Sequence, residues 1–199
     1  MQEAVLNFVR VPMMGTYVTH KPTPRSGNRV AGGGPGDIYK CAPGGDNDYC
    51  YILCTSPEMF VSLFNVIGHP EVVTDERFIG RERAKNVEAL TAIINEWTGR
   101  HTKHEVMKIL GGAGVPCGAV LDTVELLNNP HLRERQMIVD IEHPARGKIS
   151  MPGCPVKLED SPVTVISAPL LGQHNAEVYG QMLGLGEAEL EQLKSQKVI

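Results

Sequence analysis

Glu3 stands near the start of the chain, between Gln2 and Ala4, on a segment whose Val5, Leu6, Phe8, Val9 and Val11 are apolar. One acid in that place is ordinarily a solvated group favoured by the positive end of a helix; a catalytic carboxylate is the alternative. Gly32, Gly33, Gly34, Pro35 and Gly36 form a glycine-rich run with no Lys-Ser/Thr after it and no strand before it, so it is neither a P-loop nor a dinucleotide fingerprint. Two readings stay open for it: a surface turn, or a lid whose backbone amides approach a ligand closely because no side chain intervenes. His101, His104 and Glu105 imitate metal-ligand spacing, but Thr102-Lys103-His104-Glu105 is a capping box that already accounts for Glu105, and a third ligand is lacking. Cys117 has no evident His partner, and His143 and His174 stand alone near turns, as local hydrogen-bonding groups do. No metal site is expected.

The elements that must position these residues follow from periodicity and capping. Residues 1–11 read as a helix that Pro12 stops. No Ser, Thr, Asp or Asn precedes it as a cap, so the helix is expected to continue something that comes before. Residues 12–48 are loop-rich. Tyr49 to Thr55 is a β-prone apolar run, then Ser56-Pro57-Glu58 supplies an N-cap, a proline at the first helical position and an early acid. Met59, Phe60, Leu63, Phe64 and Ile67 form that helix's apolar face and Gly68 ends it. Helices are expected over 86–98 and 102–112, then a loop or short strand over 115–120. Short helical turns follow at Asp122 and at 130–135. Met137 to His143, Ile149 to Met151 and Val156 to Leu158 read as strands. A linker over 161–169 leads to helices at 175–183 and 187–195.

Composition narrows the class. Of 199 residues 42% are hydrophobic and 21% charged, so the chain is neither a disordered tail nor a membrane span. With 19 basic against 23 acidic side chains, net −4, there is no basic footprint for nucleic acid and no polybasic cluster for a membrane surface. Five irregularly spaced cysteines without a C-x-x-C pair suit buried thiols in a reducing compartment, and the N-terminus lacks the features of a signal peptide. A cytoplasmic location is therefore expected. The pattern is α/β in the broad sense: a small α+β domain with short mixed strands over 49–160, flanked by 1–48 and 161–199.

Six segments in order resemble the C-terminal portion of the class III CoA-transferases. They are Met1 to Asn7 with Arg10-Val11; Gly27-Asn28 with the glycine run; and Val115-Pro116-Cys117 with Pro130-His131-Leu132-Arg133. Then come Glu142-His143-Pro144 with Arg146-Gly147; Gly153-Cys154-Pro155; and Ala168 to His174. The resemblance implies that Glu3 occupies the position of the family's nucleophilic aspartate. It also implies that Gly32, Gly33 and Gly34 belong to a loop that closes over the acyl group. Residues 1–48 would end the large domain, 49–160 would be the small domain, and 161–199 would return to the large domain.

The reaction so implied moves CoA from an acyl-CoA, such as formyl-CoA, to a small carboxylic acid, such as oxalate. CoA thioester is the substrate and no further cofactor is required. An interlocked homodimer is implied for the full-length protein. Two departures accompany the resemblance. Glutamate replaces aspartate at position 3, and the family's Rossmann-like N-terminal half, which supplies most of the CoA surface, has no counterpart here. The residues that contact CoA are consequently left unassigned. A racemase-type branch of the same superfamily, or a non-catalytic piece that completes a partner chain, are the alternatives.

Overall fold

A computed structural model describes residues 1–30 and 34–199, with Pro12 described by its backbone alone. The chain divides into two compact units, Met1–Asp122 and Thr123–Ile199.

The first unit opens with two successive helices, α1 (Gln2–Phe8) and α2 (Arg10–Thr19), joined at Val9. The expectation that Pro12 ends the helical run is corrected. Pro12 is the third residue of α2, where the missing N–H is one of the donors a helix leaves unpaired anyway. The turn at His20, with φ of 52°, ends α2 instead.

After these helices in the chain comes an antiparallel sheet of order β1 (Gly36–Lys40), β2 (Tyr49–Leu53), β3 (Cys117–Ala119). Tyr39 is paired with Cys50, and Ile52 with Cys117, so Tyr39, Cys50 and Ile52 enter the core. β1 lies inside the stretch expected to be loop-rich. Its Gly-Asp-Ile-Tyr-Lys sequence gains strand character from pairing with β2 rather than from local preference.

Three helices meet the sheet, α3 (Pro57–Val66), α5 (Val87–Thr98) and α6 (Lys103–Gly112), and a short α4 (Glu82–Lys85), which buries no residue, precedes α5. The signals that start them are those of the sequence. Ser56 Oγ accepts from the Met59 amide at 3.3 Å with Pro57 at the first helical position, and Thr102 and Glu105 close a reciprocal capping box. Phe60, Leu63 and Phe64 of α3, Leu90 and Ile94 of α5, and Val106 and Leu110 of α6 meet the sheet in one core. Two buried polar groups are satisfied there: Thr98 Oγ1 donates to the Lys40 carbonyl at 2.7 Å, and Lys103 Nζ donates to the carbonyls of Asn47 and Val120.

The second unit carries α7 (Thr123–Asn128), α8 (Pro130–Glu134) and a hairpin of β4 (Ile138–His143) with β5 (Gly147–Pro152). A π-helical segment, Ala176–Met182, and α9 (Glu187–Ser195) follow. Val156–Leu158, expected as a strand, carries none. Pro155 and Pro162 remove ladder donors around it, and β4 and β5 pair only with each other. No described residue of this unit is fully buried.

Candidate active site

Glu3 lies in the first turn of α1, a helix with no side-chain cap and no buried residue. Its side chain is exposed and has no hydrogen bond or ion pair with any described residue. The surface around it is apolar: Phe8 is 85% exposed, and Val5, Leu6 and Val9 are open as well. An acid in the first turn is favourably placed against the helix dipole, but no described residue of this unit holds it in a reactive geometry.

Of the expected glycine loop, Gly32 and Gly33 lie outside the described residues, whereas Gly34 is described. The strand that follows is fastened at both sides. The Val30 amide donates to Gly36 O at 2.7 Å and the Cys54 amide donates to Pro35 O at 2.8 Å. The close approach of neighbouring atoms also favours glycine. A Cβ at Gly34 would stand 3.2 Å from the Cys54 carbonyl, and one at Gly36 would stand 3.0 Å from the Val30 side chain.

Gly34 and Gly36 border a cavity of about 330 Å³ that Thr55, Ser56, Phe60 and Arg83 also line. Arg83 lies with its guanidinium 4.0 Å over the Phe60 ring, and its Nε donates to the Phe78 carbonyl at 2.8 Å. Burial holds its pKa below the usual arginine value, and burial pushes the neighbouring Cys54 thiol up to about 11. Sequence reasoning missed Arg83, because the Arg81-Glu82-Arg83 run looks like a solvated charged stretch. Only the meeting of α3 with the Phe78 turn gives it a partly buried place. A larger cavity, about 910 Å³, lies between α2 and the 21–30 segment, with Val11, Gly15, Lys21 and Arg25 on its walls.

The remaining candidates are local. His101 Nδ1 lies 2.9 Å from the Trp97 carbonyl, its ring stacked on Trp97, and Glu105 is bound to Thr102. The Cys117 thiol approaches the Met107 carbonyl, and burial raises its pKa. His143 Nδ1 accepts from the Ala145 amide, and His174 Nδ1 lies 3.1 Å from the Glu177 carboxylate. Among the described residues no group of three His, Cys, Asp or Glu side chains converges on one point, and no helix is long and apolar enough to cross a membrane.

The family model described as CoA-transferase family III matches residues 1–175. The chain belongs to that family. It is 42% identical to a formyl-CoA:oxalate CoA-transferase of Streptomyces avermitilis, over 100% of this chain and 52% of the relative. It is 35% identical to a protein of the same name from Rhodopseudomonas palustris, over 97% of this chain and 50% of the relative. The chain thus spans about half the length of the curated relatives it matches. Among solved structures, a CAIB/BAIF family protein from Brucella suis superposes with a TM-score of 0.70 at 24% identity, over 87% of this chain and 44% of that one. Rv3272 from Mycobacterium tuberculosis gives 0.63 at 20% identity, with the same coverage. The fold, mixed helices with short antiparallel strands, is therefore part of a family III CoA-transferase fold.

Proposed function

We propose that this chain serves the transfer of CoA from an acyl-CoA, formyl-CoA being the foremost candidate, to a small carboxylic acid such as oxalate, in the cytoplasm. The observation that carries the reading is the 42% identity, running the whole length of the chain, to a protein named for that reaction. Glu3 is the nucleophile in this reading. Its carboxylate attacks the thioester carbonyl, the C–S bond breaks, and CoA leaves as thiolate while a mixed anhydride forms on the enzyme. The thiolate then attacks the glutamyl carbonyl, releasing the first acid and leaving a glutamyl-CoA thioester. The acceptor acid repeats the two steps in reverse order and departs as its CoA thioester.

Gly32, Gly33 and Gly34 would cover the anhydride, keep water from it and offer backbone amides to its oxygens. Glutamate and aspartate are equivalent in this chemistry and differ in reach by one methylene. The pocket is taken to be built for the longer arm, so Glu3→Asp should misplace the carboxylate by about 1 Å and lower turnover by on the order of 100-fold.

The exposed apolar residues of α1 and α2 favour a second element of the reading: the chain works joined to, or associated with, the half that its relatives carry in addition, as an interlocked dimer. The test is oxalyl-CoA formation from formyl-CoA and oxalate. It is run with the chain alone and with the chain joined to the preceding half of a relative, each alongside a Glu3→Gln variant. Oxalyl-CoA from the joined protein but not from its variant supports the reading. Exchange of an α-proton of a branched acyl-CoA into heavy water, with no acid exchange, would replace it by the racemase-type reaction. Association of the two halves on gel filtration without either activity would leave the chain as a non-catalytic completing piece.

A further inference from the structure

Three arginines are half-buried among the described residues: Arg29, Arg83 and Arg133. Arg29 is neutralised by Asp37 at 3.1 Å and Glu88 at 2.7 Å, and Arg133 by Asp140 at 3.3 Å. Arg83 has no carboxylate partner among the described residues. Its Nε–H is spent on the Phe78 carbonyl and its flat face on Phe60, which leaves the Nη edge of the guanidinium without an acceptor among the described residues. Removing a cation partly from water without pairing it is unfavourable, and folded proteins ordinarily resolve this with an anion.

The nearby groups do not supply one. Cys54, with its thiol held neutral at physiological pH by burial, cannot serve as a thiolate. Glu58 is hydrogen-bonded to Ser56 and is not among the residues that line the cavity. Beside Arg83 the cavity is lined by Gly34, Gly36, Thr55 and Ser56, with Val30, Pro57 and Phe60 as its apolar wall. At about 330 Å³ the cavity is at the small end of ligand sites, which run from roughly 300 to 1,000 Å³. That suits a small acid and is too little for a nucleotide-bearing molecule.

We propose that the Arg83 cavity is a carboxylate site that holds a small mono- or dicarboxylic acid against the guanidinium edge, next to the glycine segment. The fork of Arg83 offers the paired N–H geometry that a carboxylate accepts in bidentate fashion. The identification of the anion with the acceptor acid rests on the proposed transferase reading. The existence of the site does not.

The test uses the chain as it is, without acyl-CoA, so its outcome is separate from that of the transferase assay. Sodium oxalate is titrated by calorimetry and by NMR of the backbone amides and the Arg83 Nε–H, at constant ionic strength set with chloride. The expected result is saturable binding, with Arg83, Thr55 and Ser56 signals moving together. Binding should weaken at least tenfold in Arg83→Met and stay unchanged in Arg77→Met, whose arginine is exposed and already paired with Asp75. Thr55→Phe, at an exposed position on the cavity wall, should block the site while leaving Arg83 in place. That variant decides the matter if Arg83→Met does not fold. Oxalate binding that survives Thr55→Phe, that does not saturate, or that chloride abolishes at equal concentration would overturn the proposal.

Discussion

Two regions of the first unit treat their apolar residues in opposite ways. In the body built from β1 to β3 and α3 to α6, Leu63, Phe64, Ile94 and Leu110 are wholly buried, and even Thr98 and Lys103 have their polar atoms bonded. In α1 and α2, Phe8 and Val18 are more than four-fifths exposed, at 85% and 82%. Both regions carry part of the candidate chemistry. The body holds Gly34, Gly36 and the Arg83 cavity in a packed frame, whereas Glu3 sits exposed on α1, which buries none of its residues. Preorganisation accounts for much of an enzyme's rate, so the contrast teaches that the proposed role of Glu3 requires surface outside this unit to position it.

Phe64→Ala should break the comparison if it is wrong. It removes a wholly buried ring whose centroid lies 4.7 Å from that of Phe60, tilted by 51°, and urea unfolding should show a loss of about 3–5 kcal/mol. A loss near zero would mean that the body is no better packed than α1. Ser56→Ala, which deletes the cap of α3 beside the cavity, should cost about 1 kcal/mol by the same measurement.

The β4–β5 hairpin sharpens the contrast from another side, because it pairs along its length without a fully buried residue and carries its charges clustered around Asp140. Ser150, Lys148 and Arg133 hold the Asp140 carboxyl down at about 2. An unperturbed aspartate titrates near ~3.9. The stabilisation is therefore complete above that value and is lost as pH falls through about 2. NMR titration of the Asp140 carboxyl carbon should locate its midpoint well below that of a free aspartate, and Ser150→Ala should raise it. The smallest effect is expected at Phe8→Ser, which should alter the stability of the chain by no more than about 0.5 kcal/mol. A larger loss would show α1 to be part of the cooperative core.

Much of the body was legible in the sequence because its signals are local. Ser56-Pro57 and Thr102 with Glu105 announce α3 and α6, and the apolar spacing in α5 puts Leu90 and Ile94 on one stripe. β1 was not legible, since Gly36–Lys40 becomes a strand only by pairing with β2. Pro12 misled because a proline reads as a stop unless the helix restarts just before it, and the break at Val9 leaves no mark in composition. Val156–Leu158 misled the other way: its apolar residues find no partner strand. Glu3 drew attention through the family resemblance, its own surroundings giving no chemical cue. Arg83 drew none, because its burial depends on Phe60 and the Phe78 turn arriving from separate elements.

The most direct test of the central claim is hydroxylamine trapping followed by peptide mass spectrometry. The chain joined to the preceding half of a relative would be incubated with formyl-CoA, with Glu3→Ala as control. The account predicts a hydroxamate on the Glu3 side chain that is absent from the control and from the isolated chain. Bound acyl-CoA with no adduct at Glu3 would contradict the assignment of the nucleophile, and an adduct in the isolated chain would contradict the view that Glu3 needs a surface from outside it.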